Sequence, residues 1–179
     1  SGENGWAHAC DLGVTPAVWS RYSANASTTP TSSATYDSSR GRVWQVSGGT
    51  KSIINYLTLS NQTFTEVSTP SYSMGYNSCS CQFPVSDLML ICAWDGTYNQ
   101  PMTFSLRALD LANPGNGVYN LTVSGDAFPT PLTPSAGIDW DPDLNVGYVF
   151  LGNSNSYSGD MDHVYKITPP ASISSGRQP

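Results

Sequence analysis

The chain has 179 residues and a formal net charge of −6, and only 11% of its residues are charged. A soluble globular domain usually has about 25% charged residues, so we expect a mostly neutral, polar surface. With only 7 Lys and Arg residues, and no basic patch, the sequence argues against nucleic-acid binding. The sequence contains no apolar run of about 18 residues, so it predicts no membrane insertion. The length suits one domain with its own core.

The local pattern predicts β-strands along most of the chain. Short segments rich in aromatic and β-branched residues are each bounded by Gly, Pro, Asn, Asp or Ser. Helical periodicity is nearly absent, and its best candidate, residues 104–112, can equally be a strand followed by a turn at Asn113-Pro114-Gly115. The sequence therefore predicts an all-β protein.

These strands form an internal repeat. An aromatic strand end, a tight turn and a strongly apolar strand occur three times, with Tyr36, Phe83 and Trp140 as the aromatic anchors. Two more strands follow each of the first two hairpins, and one strand follows the third. Four antiparallel strands in a repeat of roughly 50 residues are typical of a β-propeller blade.

The repeat makes residues 1–170 a propeller segment and residues 171–179 a polar tail. The segment comprises a part-blade at 5–23, blades at 34–67 and 80–124, and a part-blade at 137–168. About three blades cannot close a ring that typically needs 4 to 8. We therefore expect either a fragment of a larger propeller or a ring completed by another chain or by further copies. The alternative is that the strands form a sandwich.

One stretch carries a family resemblance. Val46-Ser47-Gly48-Gly49, a loop, Tyr56-Leu57-Thr58-Leu59 and then Phe64 resemble the kelch repeats of the galactose-oxidase-like propeller group. Only this unit has the full Gly-Gly, because the second has Trp94 there. The resemblance implies kelch-like blades, in a group that includes enzymes, protein-binding hubs, cell-surface proteins and virion proteins. A copper-radical site of that group needs paired His residues, which this sequence does not supply.

One segment resembles a calcium loop. Side-chain oxygens stand at alternate positions, as in loops that surround a hard cation, at Asp139, Asp141, Asp143 and Asn145. Leu144 replaces the glycine expected in such a loop. The alternative is an Asp-Pro turn between the first two strands of a blade. Calcium is the one candidate cofactor, and no catalytic set is predicted.

A ligand surface is predicted at Trp94, Asp95 and Trp6. Trp94 and Trp6 are the tryptophans that the repeat does not assign to blade cores, and tryptophans of this kind can stack on a glycan. Asp95 follows the buried strand and would face one mouth of a channel. Its alternative is a turn at Asp95-Gly96.

The four cysteines are Cys10, Cys79, Cys81 and Cys92. Buried free thiols are one interpretation, and a Cys79–Cys92 or Cys81–Cys92 disulfide is the other. Cys79 and Cys81 would point to the same face of a strand.

Together these features predict a non-enzymatic binding or structural propeller module in an extracellular, cell-surface or virion assembly. Its partner would be another protein or further copies that complete the propeller, and a glycan is a second kind of partner. One alternative is a propeller-type carbohydrate-active enzyme or lectin. Another is an intracellular kelch-type hub that binds proteins.

Overall fold

The computed structural model describes residues 5–11, 18–26, 32–47, 53–67, 79–95, 103–126, 128, 136–151 and 164–168. These residues form strands β1 (Gly5–Asp11), β2 (Val18–Ala26), β3 (Ser32–Asp37), β4 (Arg42–Ser47), β5 (Ile53–Thr58), β6 (Thr63–Val67), β7 (Cys79–Phe83), β8 (Leu88–Asp95), β9 (Thr103–Asp110), β10 (Val118–Asn120), β11 (Ala136–Asp141), β12 (Val146–Leu151) and β13 (Val164–Ile167). Two 3₁₀ turns, Pro84–Ser86 and Pro114–Asn116, are the helical elements of this part of the chain. Neither could cross a membrane.

The strands form four antiparallel sheets in chain order. Sheet 1 is β1-β2, sheet 2 is β3-β4-β5-β6, sheet 3 is β7-β8-β9-β10 and sheet 4 is β11-β12-β13. The all-β prediction, with four-stranded antiparallel sheets, is confirmed. Residues 104–110, which could have begun a helix, lie in β9. The arrangement is compatible with propeller blades.

Sheet 3 lies between sheets 2 and 4. On one face of β8, Met89 and Ile91 pack against Trp44 and Val46 of sheet 2. On its other face, Cys92 belongs to a cluster with residues of sheet 4. Each of the residues 88–93 is buried, which explains why β8 has no polar alternation. The core therefore forms in two layers, one on each side of sheet 3.

Neighbouring sheets approach most closely at their first strands. In the described part of the chain, β7 lies beside both β3 and β11. Blades of a propeller are arranged radially around a central channel, so their first strands come close together. This convergence is compatible with that arrangement.

The three first hairpins share one turn geometry. Each has four turn residues, and the last of them is left-handed: Gly41 has φ 58°, Asp87 has φ 52° and Asn145 has φ 52°. The strand residues that close these turns are Asp37, Phe83 and Asp141. Phe83 therefore occupies in sheet 3 the position that Asp37 occupies in sheet 2 and Asp141 occupies in sheet 4.

This register differs from the aromatic alignment in the sequence. Tyr36 and Trp140 lie one residue before the turn-closing position, whereas Phe83 occupies it. Side chains alternate between the two faces of a strand, so a shift of one residue moves a side chain to the opposite face. Phe83 is accordingly fully buried, and Tyr36 is 56% exposed.

Candidate functional site

The predicted ligand surface falls on strand positions. Trp94 and Asp95 end β8, opposite Phe104 and Thr103 of β9. Trp6 lies in β1 opposite Ser23, in another sheet. The side chains of Trp94, Asp95 and Trp6 lie outside the described part of the chain, so the ligand surface stays a prediction.

In the predicted calcium loop, the carboxylate of Asp141 serves the hairpin turn. Its Oδ1 accepts the backbone N–H of Asp143 at 2.9 Å and that of Leu144 at 3.0 Å. Asp139 Oδ1 accepts the N–H of Trp140 at 2.8 Å. Asn145 Oδ1 is buried and has no partner among the described residues. These contacts are those of an aspartate-capped turn, and calcium binding stays a prediction.

The same capping contact occurs at the ends of two other strands. Asp37 Oδ1 accepts the N–H of Arg40 at 3.2 Å. Asp110 Oδ1 accepts the N–H of Ala112 at 2.9 Å and that of Asn113 at 3.2 Å. A repeated turn therefore accounts for the aspartates at these strand ends. Across the described residues, no group of three or more His, Cys, Asp and Glu side chains is placed to hold a metal ion.

Three cysteines lie together on the face of sheet 3 that packs on sheet 4. Cys79 pairs directly with Cys92 across β7 and β8, and all of Cys79, Cys81 and Cys92 are free thiols. A hydrogen bond with Cys79, together with burial, raises the pKa of Cys92. Burial, with the charge of Asp139, raises the pKa of Cys81 to about 12. Thiols that resist ionisation are poor nucleophiles and metal ligands.

Asp37 is the one fully buried carboxylate among the described side chains. Its oxygens accept hydrogen bonds from Ser39 at 2.6 Å, Gln82 at 3.1 Å and Trp44 at 3.4 Å. Burial opposes ionisation of Asp37, but the hydrogen bonds from Ser39, Arg40 and Trp44 and the Arg40 charge outweigh it and lower the pKa of the carboxyl group. A buried carboxylate can mark an active site. Here its oxygens are occupied by contacts within and between the sheets, so it joins sheet 2 to sheet 3.

Sheet 4 presents an open face. We use this term for the side chains on the side of sheet 4 away from sheet 3, centred on Tyr148, Phe150, Val164 and Lys166. Phe150 is 48% exposed and Val164 is 56% exposed, and the two lie directly opposite each other on β12 and β13. Large apolar side chains side by side on a sheet surface are typical of an interaction site.

The equivalent face of the two preceding sheets is covered. The third and fifth residues of the second strand are Trp44 and Val46 in sheet 2, and Leu90 and Cys92 in sheet 3. All four are fully buried: the first pair packs against sheet 3, and the second pair packs against sheet 4. Tyr148 and Phe150 hold these positions in sheet 4.

A cleft of about 910 Å³ opens between sheets 3 and 4, and we call it the rim cleft. One wall is the chain that follows β10, residues 121–126, and the other is residues 164–168, which include β13. Leu106 and Phe128 are apolar contributions from the sheet 3 side. The Phe128 ring packs on Phe104 and on Tyr165, with ring centroids 4.4 and 4.7 Å apart.

The sequence did not identify the residues of the open face, the rim cleft or the network around Asp37. An Asp at a strand end before a Ser-rich turn is a recognisable turn signal. Its partner Gln82, however, lies 45 residues away and becomes a neighbour only when sheets 2 and 3 stack. Likewise, β10 ends at Asn120 although the predicted blade extends to residue 124, and residues 121–126 line the cleft wall.

In the comparisons with known proteins, no family model and no curated protein matches the chain.

Proposed function

We propose that this protein is a non-enzymatic structural and binding module of a β-propeller assembly, in which the open face of sheet 4 packs against a sheet of a second copy of the chain. The observation that carries the proposal is the series of equivalent faces along the chain. In sheets 2 and 3 this face is buried under the next sheet, and in sheet 4 it is exposed around Phe150.

The chemistry of the open face matches that of the two buried faces. Tyr148 and Phe150 stand where Trp44, Val46, Leu90 and Cys92 form sheet-to-sheet contacts. Full burial of a Phe or Val side chain is worth about 1.5–3 kcal/mol, so covering these half-exposed residues favours association. The chain already packs its own sheets on this face twice, which is why we name a second copy as the partner.

Polar groups support the same arrangement. Asp37 of sheet 2 receives a hydrogen bond from Gln82 of sheet 3. Asp141 holds the position of Asp37 in sheet 4, at the edge of the open face. A docked sheet that presents an amide or guanidinium there would repeat the contact seen within the chain.

We further propose that the sheets are kelch-like blades and that the assembly is extracellular, on a cell surface or in a virion. The kelch-like proposal is supported by Val46-Ser47-Gly48-Gly49 and the strands after it, and the location by the low content of charged residues. The sequence-based alternatives, a carbohydrate-active enzyme or lectin and an intracellular hub, are favoured by no specific contact among the described residues.

The test is the mass of the protein in solution, measured by light scattering coupled to size-exclusion chromatography over a range of concentrations. We expect an assembly larger than the 19.1 kDa chain. Phe150→Arg and Val164→Asp should dissociate it, because each places a charge in the buried contact. Val85→Arg is the matched control, since Val85 is 72% exposed on a turn of sheet 3.

Circular dichroism and thermal melting would establish that each variant folds before its mass is interpreted. A 19.1 kDa monomer at every concentration would overturn the proposal. An assembly that Phe150→Arg and Val85→Arg affect equally would overturn it as well, because the contact would then lie elsewhere.

A further inference from the structure

We propose that the rim cleft binds an extended segment of another polypeptide, which adds to the edge of β13 as a fourth strand of sheet 4. Sheets 2 and 3 each have four strands, with β6 and β10 outermost, whereas sheet 4 has three in the described part of the chain. The cleft lies along β13, at the place that β6 and β10 occupy in their own sheets. This proposal concerns the edge of sheet 4 and stands independently of what covers its open face.

The composition of one cleft wall indicates that the edge of strand β13 faces the cleft, and the other wall is the chain that follows β10. A sheet face contributes every second residue of a strand to a pocket, because side chains alternate between faces. Here each wall is a run of consecutive residues, 121–126 on one side and 164–168 on the other. An edge strand presents backbone N–H and C=O groups to its open side, and these groups can pair with an added strand.

The remainder of the lining offers both apolar and neutral polar contacts to an added strand. Leu106, Leu121 and Phe128 provide apolar contacts from sheet 3, where the inward side chains of an added strand would pack. Thr122, Ser124 and Thr168 provide neutral polar groups. Main-chain pairing gives affinity in this mode of recognition, and pockets for alternate side chains give specificity.

The strands in the equivalent positions define the chemistry of the segment. In sheet 2 the outermost strand β6 is Thr-Phe-Thr-Glu-Val, and it pairs along β5 from Thr58 to Ile54. In this strand Phe64 and Glu66 lie on one face, and Thr65 and Val67 lie on the other. The segment we expect is therefore about five residues long, contains β-branched and aromatic residues, and lacks proline.

A polypeptide strand explains the cleft better than a glycan does. Glycan recognition by stacking needs an aromatic ring whose face is open to the sugar. The rings nearest the cleft pack on one another, Phe128 on Tyr165 at 4.7 Å and on Phe104 at 4.4 Å. The walls are instead two runs of consecutive residues, 121–126 and 164–168, and the edge of β13 offers backbone groups with which an added strand can pair.

The probe is a fluorescent synthetic peptide with the sequence of β6, Thr-Phe-Thr-Glu-Val, extended by its flanking residues. Its binding to the full chain is measured by fluorescence anisotropy, with a matched peptide in which proline replaces the central Thr. We expect saturable binding of the first peptide and at least tenfold weaker affinity for the second, because proline removes a backbone hydrogen-bond donor.

Two variants locate the site. Val123 is 45% exposed and lines the cleft, so Val123→Asp should weaken binding of the peptide at least tenfold. Val85→Asp, on the turn of sheet 3, should leave binding unchanged. Hydrogen exchange of the complex should show protection of amides in residues 164–168, which nonspecific binding of the peptide would not produce.

Three results would overturn the proposal. The first is no binding of the peptide at concentrations up to about 1 mM, the weak limit for specific recognition. The second is binding only to a chain truncated after Thr168, which would assign the edge to the chain's own C-terminal residues. The third is Val123-dependent binding of an oligosaccharide library but not of the peptide, which would make the cleft a glycan site.

Discussion

Arg40 of sheet 2 and Asp87 of sheet 3 form a two-point ion pair between corresponding hairpin turns. Arg40 Nη1 donates to Asp87 Oδ1 at 2.8 Å, and Nη2 donates to Oδ2 at 2.5 Å. Nη1 also donates to Asp37 Oδ2 at 3.2 Å. These hydrogen bonds with Asp87 raise the pKa of Arg40, so the guanidinium stays charged. The turn of one sheet thus fixes the position of the next.

The first prediction concerns this ion pair. A double-mutant cycle with Arg40→Ala and Asp87→Ala should give a coupling free energy of about 1 kcal/mol, because the geometry is bidentate although both side chains are partly exposed. Urea unfolding of the four proteins measures it. The coupling should fall as salt is added, since screening weakens exposed charge pairs.

Arg42→Ala provides the control for the cycle. The guanidinium carbon of Arg42 lies 4.3 Å from the ring centroid of Tyr56, within the same sheet. It should show little coupling to Asp87→Ala. A coupling near zero for Arg40 and Asp87 would mean that the ion pair does not hold the two turns together.

The second prediction is the pH dependence that Asp37 confers. Its pKa in the folded protein is below the ordinary value of 3.8, so folding favours the ionised form. The stabilisation should therefore be complete above about pH 5 and be lost as the pH falls through the folded pKa. Asp37→Asn should lose stability at pH 7, by roughly 3 kcal/mol, and show a weaker dependence on acid.

Chemical unfolding of both proteins between pH 7 and pH 2.5 would measure this effect. The stability difference between wild type and Asp37→Asn should shrink steadily below pH 4. A difference that stays constant across the range would show that the Asp37 charge does not contribute, and that the variant acts through packing alone.

The third prediction compares two glycines of sheet 4. A Cβ at Gly147 would collide with the ring of Phe83, which is fully buried and packs edge-on against Trp140 with ring centroids 4.6 Å apart. Gly147→Ala should therefore destabilise the protein by about 1–3 kcal/mol, as overpacking does. Gly137 has nothing within 4 Å of such a Cβ, so Gly137→Ala should be neutral or stabilising by up to about 1 kcal/mol.

A rescue experiment would show whether Phe83 is the cause. Adding Phe83→Leu to Gly147→Ala should cost less than the sum of the two single changes, because the smaller side chain relieves the collision. Thermal melting of the single and double variants decides this. Strict additivity would mean that sheets 3 and 4 do not meet at this contact.

The fourth prediction concerns the buried thiols. With the pKa of Cys81 raised to about 12 and that of Cys92 also raised, both should react slowly with iodoacetamide in the folded protein at pH 8. Reaction should accelerate in urea and, for Cys81, toward pH 12. A Cys10→Ser background simplifies the mass-spectrometric count. Rapid labelling of Cys92 in the folded protein at pH 8 would contradict the buried environment.

Local sequence pattern predicted the strands because their signals are local. The aromatic and β-branched runs form antiparallel strands. In each of the three predicted hairpins, a four-residue turn joins two of these strands. The sequence-based alignment of Phe83 with Tyr36 and Trp140 was wrong by one residue. Equivalent positions in the sheets are set by the hydrogen-bond register of the strands, and the positions of aromatic residues do not reveal that register.

The candidate sites were less predictable from the sequence than the strands. The sequence drew attention to Asp139 and Asp141 because carboxylates at alternate positions are visible in a linear pattern, but Asp141 caps a turn. The sequence did not point to Phe150 or Val164, because an apolar residue in a strand looks the same whether or not another sheet covers it. Exposure depends on the neighbours that the fold supplies.

The sequence alone determined that the chain is all-β, that its strands come in repeated antiparallel groups, and that its surface is poor in charge. These properties follow from side-chain alternation and from turn residues, which act over a few residues. Only the tertiary structure decided that Asp37 and Arg40 join two sheets, that Phe83 lies over Gly147, and that one sheet face and one sheet edge are left open by the residues that the structure describes. Those contacts join residues far apart in the chain, and stacking of the sheets brings them together.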